Sequence, residues 1–170
     1  HPIDIYGKTK VEGEKAILKS NLDFVILRLI TMYGWPQKGG RSNPVTWIIE
    51  NLKKGESMNV VSDVYNNHLW AGQAALVLWK IIEKNIKGEI YNIAGAESIN
   101  RFDLALKVAK IFKLDSSLIT AVTSDYFKDI AKRPKNTSFN TKKMEKYLGI
   151  KPLSVEEGLR LMRKEAVEVK

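Results

Sequence analysis

The 170-residue sequence has no cysteine and only two histidines, His1 and His68. Without thiols there are no disulfides, no thiolate metal sites and no cysteine nucleophile. Two imidazoles give a His-built metal centre or a Ser-His-Asp triad almost nothing to draw on, so no metal site is expected. No apolar run approaches the roughly 20 residues needed to cross a bilayer, and there is no signal-peptide pattern. The expected setting is cytoplasmic, with no membrane partner. Also missing is the strand, glycine-rich turn and helix that cradle a dinucleotide pyrophosphate. The one adjacent glycine pair, Gly39-Gly40, does not sit between a strand and a helix.

Positive charge is plentiful, with a formal net charge of +9. Nucleic acid is an unlikely partner all the same. The lysines are spread along the chain, and many, such as Lys107, Lys110 and Lys113, fall on solvated helix faces. No basic cluster interleaved with aromatics is present. A polyanionic small ligand accounts for the charge as well.

Helical and strand patterns alternate. Residues 5–20 read as an amphipathic helix with Gly7, Val11, Glu14 and Leu18 on one stripe. The run Phe24 to Ile30, apolar except for Arg28, fits a strand buried on both faces of a parallel sheet. Residues 33–44 form a long Gly- and Pro-containing loop of the kind that is often functional. Helices are predicted over 45–54, 71–83 and 101–112, the last capped by Asn100, and strands over 58–61 and 89–93. Two shorter helices close the chain, over 141–148 and 154–164. Ser154 and Glu157 have capping-box spacing. The class is α/β, with parallel crossovers.

Two Tyr-x-x-x-Lys spacings occur, Tyr6/Lys10 and Tyr147/Lys151. With six tyrosines and lysine at about one residue in eight, roughly one such spacing is expected by accident. Tyr147/Lys151 straddles Gly149 and precedes Pro152, so it lies at a helix end. Tyr6 and Lys10 fall on a continuous helical pattern, which stacks them on one face. An ammonium beside a phenol favours loss of the phenolic proton, so such a pair suits proton donation to a carbonyl oxygen. An exposed Tyr on a Lys-rich helix has the same spacing.

The surrounding residues carry more. Pro2, Tyr6-Gly7, Thr9-Lys10 and Gly13-Glu14 resemble the active-site helix of the extended short-chain dehydrogenase/reductases, most of all the dTDP-4-dehydrorhamnose reductase family. Further similar segments follow in order: Leu27-Arg28, Tyr33-Gly34, Gly40 with Asn43, and Asp63-Val64-Tyr65. Then come Arg133-Pro134-x-Asn136, Asn140-Thr141-Lys142-Lys143, Leu148-Gly149 and Glu157-Gly158-Leu159. The resemblance spans essentially the whole chain.

It implies the C-terminal part of a Rossmann-like doubly wound parallel sheet plus a small substrate-binding lobe, its N-terminal dinucleotide-binding half missing. The start at His1-Pro2, without an initiator Met and just ahead of a helix, is expected to be a truncation. Residues 1–170 are then one unit. Residues 1–35 hold the active-site helix and following strand, and 36–170 the sheet-completing and substrate-binding elements. The implied activity is NAD(P)H-dependent reduction of a nucleotide-linked 4-keto sugar, with the isolated chain inactive. NADP or NAD would be bound mostly by the missing half.

By position, Tyr6 is the catalytic acid and Lys10 its partner. Tyr6, Lys10, Arg28 and Thr31 lie at the cofactor, and Asn43, Trp47, Tyr65 and Arg133 at the sugar nucleotide. Implied partners are the nucleotide-sugar substrate, the missing half of the same protein and a second copy in a homodimer. Thr31 and Asn67-His68-Leu69 depart from the family pattern. A non-catalytic regulatory subunit on the same scaffold, like the methionine adenosyltransferase β-subunit, is the alternative.

Overall fold

The structure is a computed structural model and describes residues 2–128 and 134–168. Among the described residues are six α-helices: α1 (Ile5–Leu18), α2 (Pro44–Lys53), α3 (Ala71–Glu83), α4 (Arg101–Phe112), α5 (Lys142–Leu148) and α6 (Val155–Glu168). The strands are β1 (Val25–Leu29), β2 (Met32–Tyr33), β3 (Met58–Val61), β4 (Tyr65–Asn66), β5 (Leu69–Trp70), β6 (Glu89–Ile93), β7 (Ile99–Asn100) and β8 (Ile119–Val122). They form four two-stranded ladders. The pairs β1/β6, β2/β5 and β3/β8 are parallel, and β4/β7 is antiparallel. The α/β class with parallel pairing is as expected.

Local chemistry sets the helix ends. Asp4 accepts the amide of Gly7 at 2.7 Å and starts α1. Asn43 accepts the amides of Val45 and Thr46 to start α2. Asn100 accepts that of Asp103 to start α4. Ser154 and Glu157 make the reciprocal pair expected of a capping box. Such caps are each worth about 1 kcal/mol. Gly149 ends α5 at φ 71°, a left-handed conformation that glycine adopts without penalty. Lys151 therefore lies beyond the helix of Tyr147, and the second Tyr/Lys spacing is not a helical pair.

Two apolar clusters hold the molecule together. The larger packs Ile48, Leu52, Leu104, Val108, Leu159 and Met162 from α2, α4 and α6 against Met58, Val60 and Ile119 of the β3/β8 ladder. The smaller packs Val77 and Ile81 of α3 and Met144 and Leu148 of α5 against Tyr91 and Ile93 of β6. The ladder β2/β5 joins them. Leu69 belongs to the smaller cluster, whereas Tyr33 belongs to the larger and Trp70 packs on it. Gly158 makes this junction possible. A Cβ there would lie 2.0 Å from the Tyr33 hydroxyl, so α6 approaches β2 only with glycine at that position.

Two expectations need correction. α1 has no buried residue; Gly7 and Glu14 are half-buried, but Val11 and Leu18 are exposed. β1 is a strand, yet only Ile26 in it is buried. The reason is the same for both. Among the described residues β1 pairs with β6 alone, so its outer edge and the helix preceding it have no neighbour to cover them. Strand β8 was not anticipated. Its four residues, Ile-Thr-Ala-Val, bury only Ile119 and follow a 3₁₀ turn, so neither length nor alternation marks them.

Candidate active site

α1 presents Tyr6 and Lys10 together. The Tyr6 side chain is 70% exposed, and the Lys10 ammonium stands 5.3 Å from the centre of its ring. One turn further on, Glu14 grips Arg28 of β1 through two hydrogen bonds, to Nε at 2.7 Å and Nη2 at 2.5 Å. This fork holds the Glu14 carboxyl below the ordinary carboxylate range, through the hydrogen bond first and the Arg28 charge second. Arg28 thus fastens the Tyr/Lys helix to its strand. Thr31 lies in the bend between β1 and β2, where its carbonyl accepts the amide of Leu69 at 3.1 Å. It is half-buried.

A second group of predicted residues meets at a cleft of about 310 Å³ between α2 and the start of α4. Asn43 and Trp47 line it together with Ile48, Val60, Leu104 and Arg101. Asn43 is largely committed to structure. It caps α2 and donates Nδ2 to the Gly34 carbonyl at 2.7 Å, closing the base of the 33–44 loop. Trp47 lines the cleft and is 43% exposed. Tyr65 pairs across the β4/β7 ladder with Asn100, the residue before Arg101. Its backbone also holds the segment after Pro134: its amide donates to the Lys135 carbonyl at 2.7 Å and its carbonyl accepts from Thr137. Arg133 lies outside the described residues. The structure therefore gathers Asn43 and Trp47 at one cleft with Tyr65 at its neighbouring ladder. Tyr6 and Lys10 share α1, which Glu14 ties to Arg28 of β1, and no hydrogen bond joins Thr31 to them among the described residues.

Arg101 and His68 were not singled out as site residues. Arg101, the first residue of α4, supplies the cleft's cation. No spacing marked it, because its place depends on the β4/β7 ladder. His68 is 2% exposed, and neither ring nitrogen has a hydrogen-bond partner among the described residues. Burial, with the nearby Arg101 charge second, pushes its imidazole down to about 4. His68 is therefore neutral at physiological pH. Its identity as a departure from the family pattern was the available signal. Beside it, Asn67 bonds the Gly95 and Phe139 carbonyls and the Phe139 amide, and so ties three loops together.

Comparison with known proteins gives a consistent picture. The model of the RmlD substrate binding domain matches residues 1–167. The chain is 30% identical over 173 residues to dTDP-4-dehydrorhamnose reductase of Aggregatibacter actinomycetemcomitans, covering 96% of this chain and 58% of that protein. It is 32% identical over 152 residues to methionine adenosyltransferase 2 subunit beta of Rattus norvegicus, covering 85% of this chain and 44% of that one. Among solved structures, dTDP-4-dehydrorhamnose reductase from Bacillus anthracis in complex with NADP superimposes with a TM-score of 0.87 at 26% identity. That match covers 97% of this chain and 57% of the other. The chain thus spans roughly half the length of these relatives.

Proposed function

Because the chain belongs to the family of the RmlD substrate binding domain, we propose that it carries the catalytic helix and sugar-nucleotide lobe of an NAD(P)H-dependent nucleotide-sugar 4-keto reductase of the dTDP-4-dehydrorhamnose reductase type. The observation that carries this reading is α1, where Tyr6 and Lys10 share a helix face open to solvent. In the proposed reaction the Tyr6 hydroxyl gives its proton to the substrate's keto oxygen as that oxygen gains charge. The Lys10 ammonium stabilises the phenolate left behind. The nicotinamide, when bound, supplies the hydride.

The chain's residues fit one end of that cofactor. Lys10, with three ammonium donors, suits ribose hydroxyls, and Thr31 follows the C-terminal end of β1. No strand, glycine turn and helix N-terminus cradles a pyrophosphate among the described residues. We propose that a dinucleotide-binding half, against the open edge of β1, completes the site. The 170 residues alone then neither bind NADPH tightly nor turn over substrate. At the Trp47/Arg101 cleft, the indole would stack on base or sugar. Arg101 would meet the diphosphate there, since a guanidinium pairs two oxygens at once; Arg133, the other candidate, lies outside the described residues.

Two arms test this. Calorimetry of the 170-residue chain with NADPH should show no binding at micromolar concentration. In a protein joining this chain to a dinucleotide-binding half, Tyr6→Phe should lower kcat for a nucleotide-linked 4-keto sugar by about 10²-fold or more. An unchanged kcat would sink the catalytic role of Tyr6. The similarity to methionine adenosyltransferase subunit beta supports a second reading, a non-catalytic subunit on this scaffold. On that reading the joined protein binds NADPH but reduces no 4-keto sugar, with or without the Tyr6 hydroxyl.

A further inference from the structure

A second open cleft, of about 410 Å³, lies between α4 and α6 and is lined by Lys110, Ile111, Arg160, Arg163 and Lys164. It belongs to the β3/β8 lobe, whereas α1 is attached through β1. Arg160, Arg163 and Lys164 stand at i, i+3 and i+4 on α6, and so share a face. Lys107 and Lys110 stand three apart on α4. Like charges on two packed helices repel unless something offsets them. Among these residues Lys107 and Arg160 each have a carboxylate within ion-pair distance. Glu97 takes Lys107 at 3.0 Å, and Glu156 takes Arg160 at 2.6 Å.

Glu156 is held low by the Arg160 hydrogen bond first, then by the charge of Arg160 and, to a smaller degree, of Lys110 and Lys107. One acid therefore answers to three cations. Arg163 turns instead to the last turn of α4 and donates to the Ile111 carbonyl at 2.7 Å. A helix C-terminus contributes only about half a negative charge. The excess is positive, and it is gathered between two helices that pack together in the larger core.

We propose that the α4/α6 cleft docks a carboxylate-rich segment of a partner protein. The span from Arg160 to Lys164 is about 6 Å along the helix. In an extended chain, alternate side chains on one face lie about 6.6 Å apart. Acidic side chains at alternate positions of an extended segment thus match the spacing of successive turns along the α6 row. Both guanidiniums already have part of their fork engaged, by Glu156 and by Ile111, which works against a two-point grip on a single phosphate. Among the described residues no aromatic side chain lines the cleft for a base to stack on. Dispersed carboxylates fit this arrangement better than a small phosphate or a nucleic acid strand.

The experiment uses the 170-residue chain and a fluorescently labelled hexaglutamate, with binding read by anisotropy at low ionic strength. The variant Lys110→Glu/Lys164→Glu is compared with Lys38→Glu/Lys128→Glu, which changes net charge equally at positions away from the cleft. The cleft variant should weaken binding by about 10-fold or more and the control by less than about 3-fold. Equal weakening would overturn the proposal, since the attraction would then be net charge alone. It would equally be overturned if inorganic triphosphate or a single-stranded RNA of matched charge bound more tightly than hexaglutamate and lost that binding in the cleft variant alone.

Discussion

His68 is the residue whose environment most contradicts its chemistry. An imidazole has one donor and one acceptor when neutral, and here both nitrogens are buried without a partner among the described residues. Protonation would add a second cation near Arg101 in a space that already penalises charge, which is why the group is pushed down to about 4. The unfolded chain protonates His68 near 6.5, the folded chain only near 4. Its contribution to stability is therefore complete above pH 6.5 and is lost as the pH falls toward 4. The gap corresponds to about 3 kcal/mol. Thermal melts between pH 7.5 and 4.5 should show a steeper fall in Tm for the natural chain than for His68→Gln. The amide of Gln does not titrate, so equal slopes would mean that His68 is hydrated and titrates normally.

At the scale of elements, α1 stands apart. A 14-residue helix is marginal in water unless an apolar face is buried, and α1 buries none. Its attachments are the Asp4 cap and the Glu14–Arg28 fork. In hydrogen exchange its amides should be protected by less than about 100-fold, whereas those of Val108 to Ile111 in α4 should report the most stable part of the fold. Glu14→Gln should lower α1 protection further and leave the Tm almost unchanged. Protection of α1 equal to that of α4 would contradict this.

The contrast also explains what the sequence made legible. The ranges of α3, α4, β3 and β6 could be read directly, because their caps, turns and apolar spacing agree and their own lobe buries them. β1 and α1 were found as elements but assigned too much burial, since apolar residues show what wants covering and not what covers it. Two-residue strands such as β4 and β7 are too short for any periodicity, and with them the placement of Arg101 was hidden. Asn43 and Trp47 are marked by the family resemblance alone and by no periodicity. Their meeting with Arg101 required the ladder.

For the whole molecule, the two apolar clusters are unequal. The cluster around β3/β8 has 17 buried members among the described residues and that around β1/β6 has eight. Each buried aliphatic side chain contributes about 1.5–3 kcal/mol, so the first lobe holds the greater share of stability. The second also has the open β1 edge and the exposed Leu76, Trp79 and Ile82 on α3. The lobes meet through β2/β5, with Leu69 in the smaller cluster and Tyr33 in the larger. They also meet through Gln73 of α3, which donates to the Lys151 carbonyl and accepts the Leu153 amide ahead of α6. Neither contact buries enough apolar surface to stop one lobe from opening while the other persists. Hydrogen exchange in rising urea should then release β6 and α5 before β3 and α4. Met144→Ala, in the smaller cluster, should advance the first opening by the equivalent of about 2–5 kcal/mol and leave the second in place. Leu159→Ala should move the second. A single opening of all segments together, shifted equally by both substitutions, would show that the junction couples the lobes into one cooperative unit.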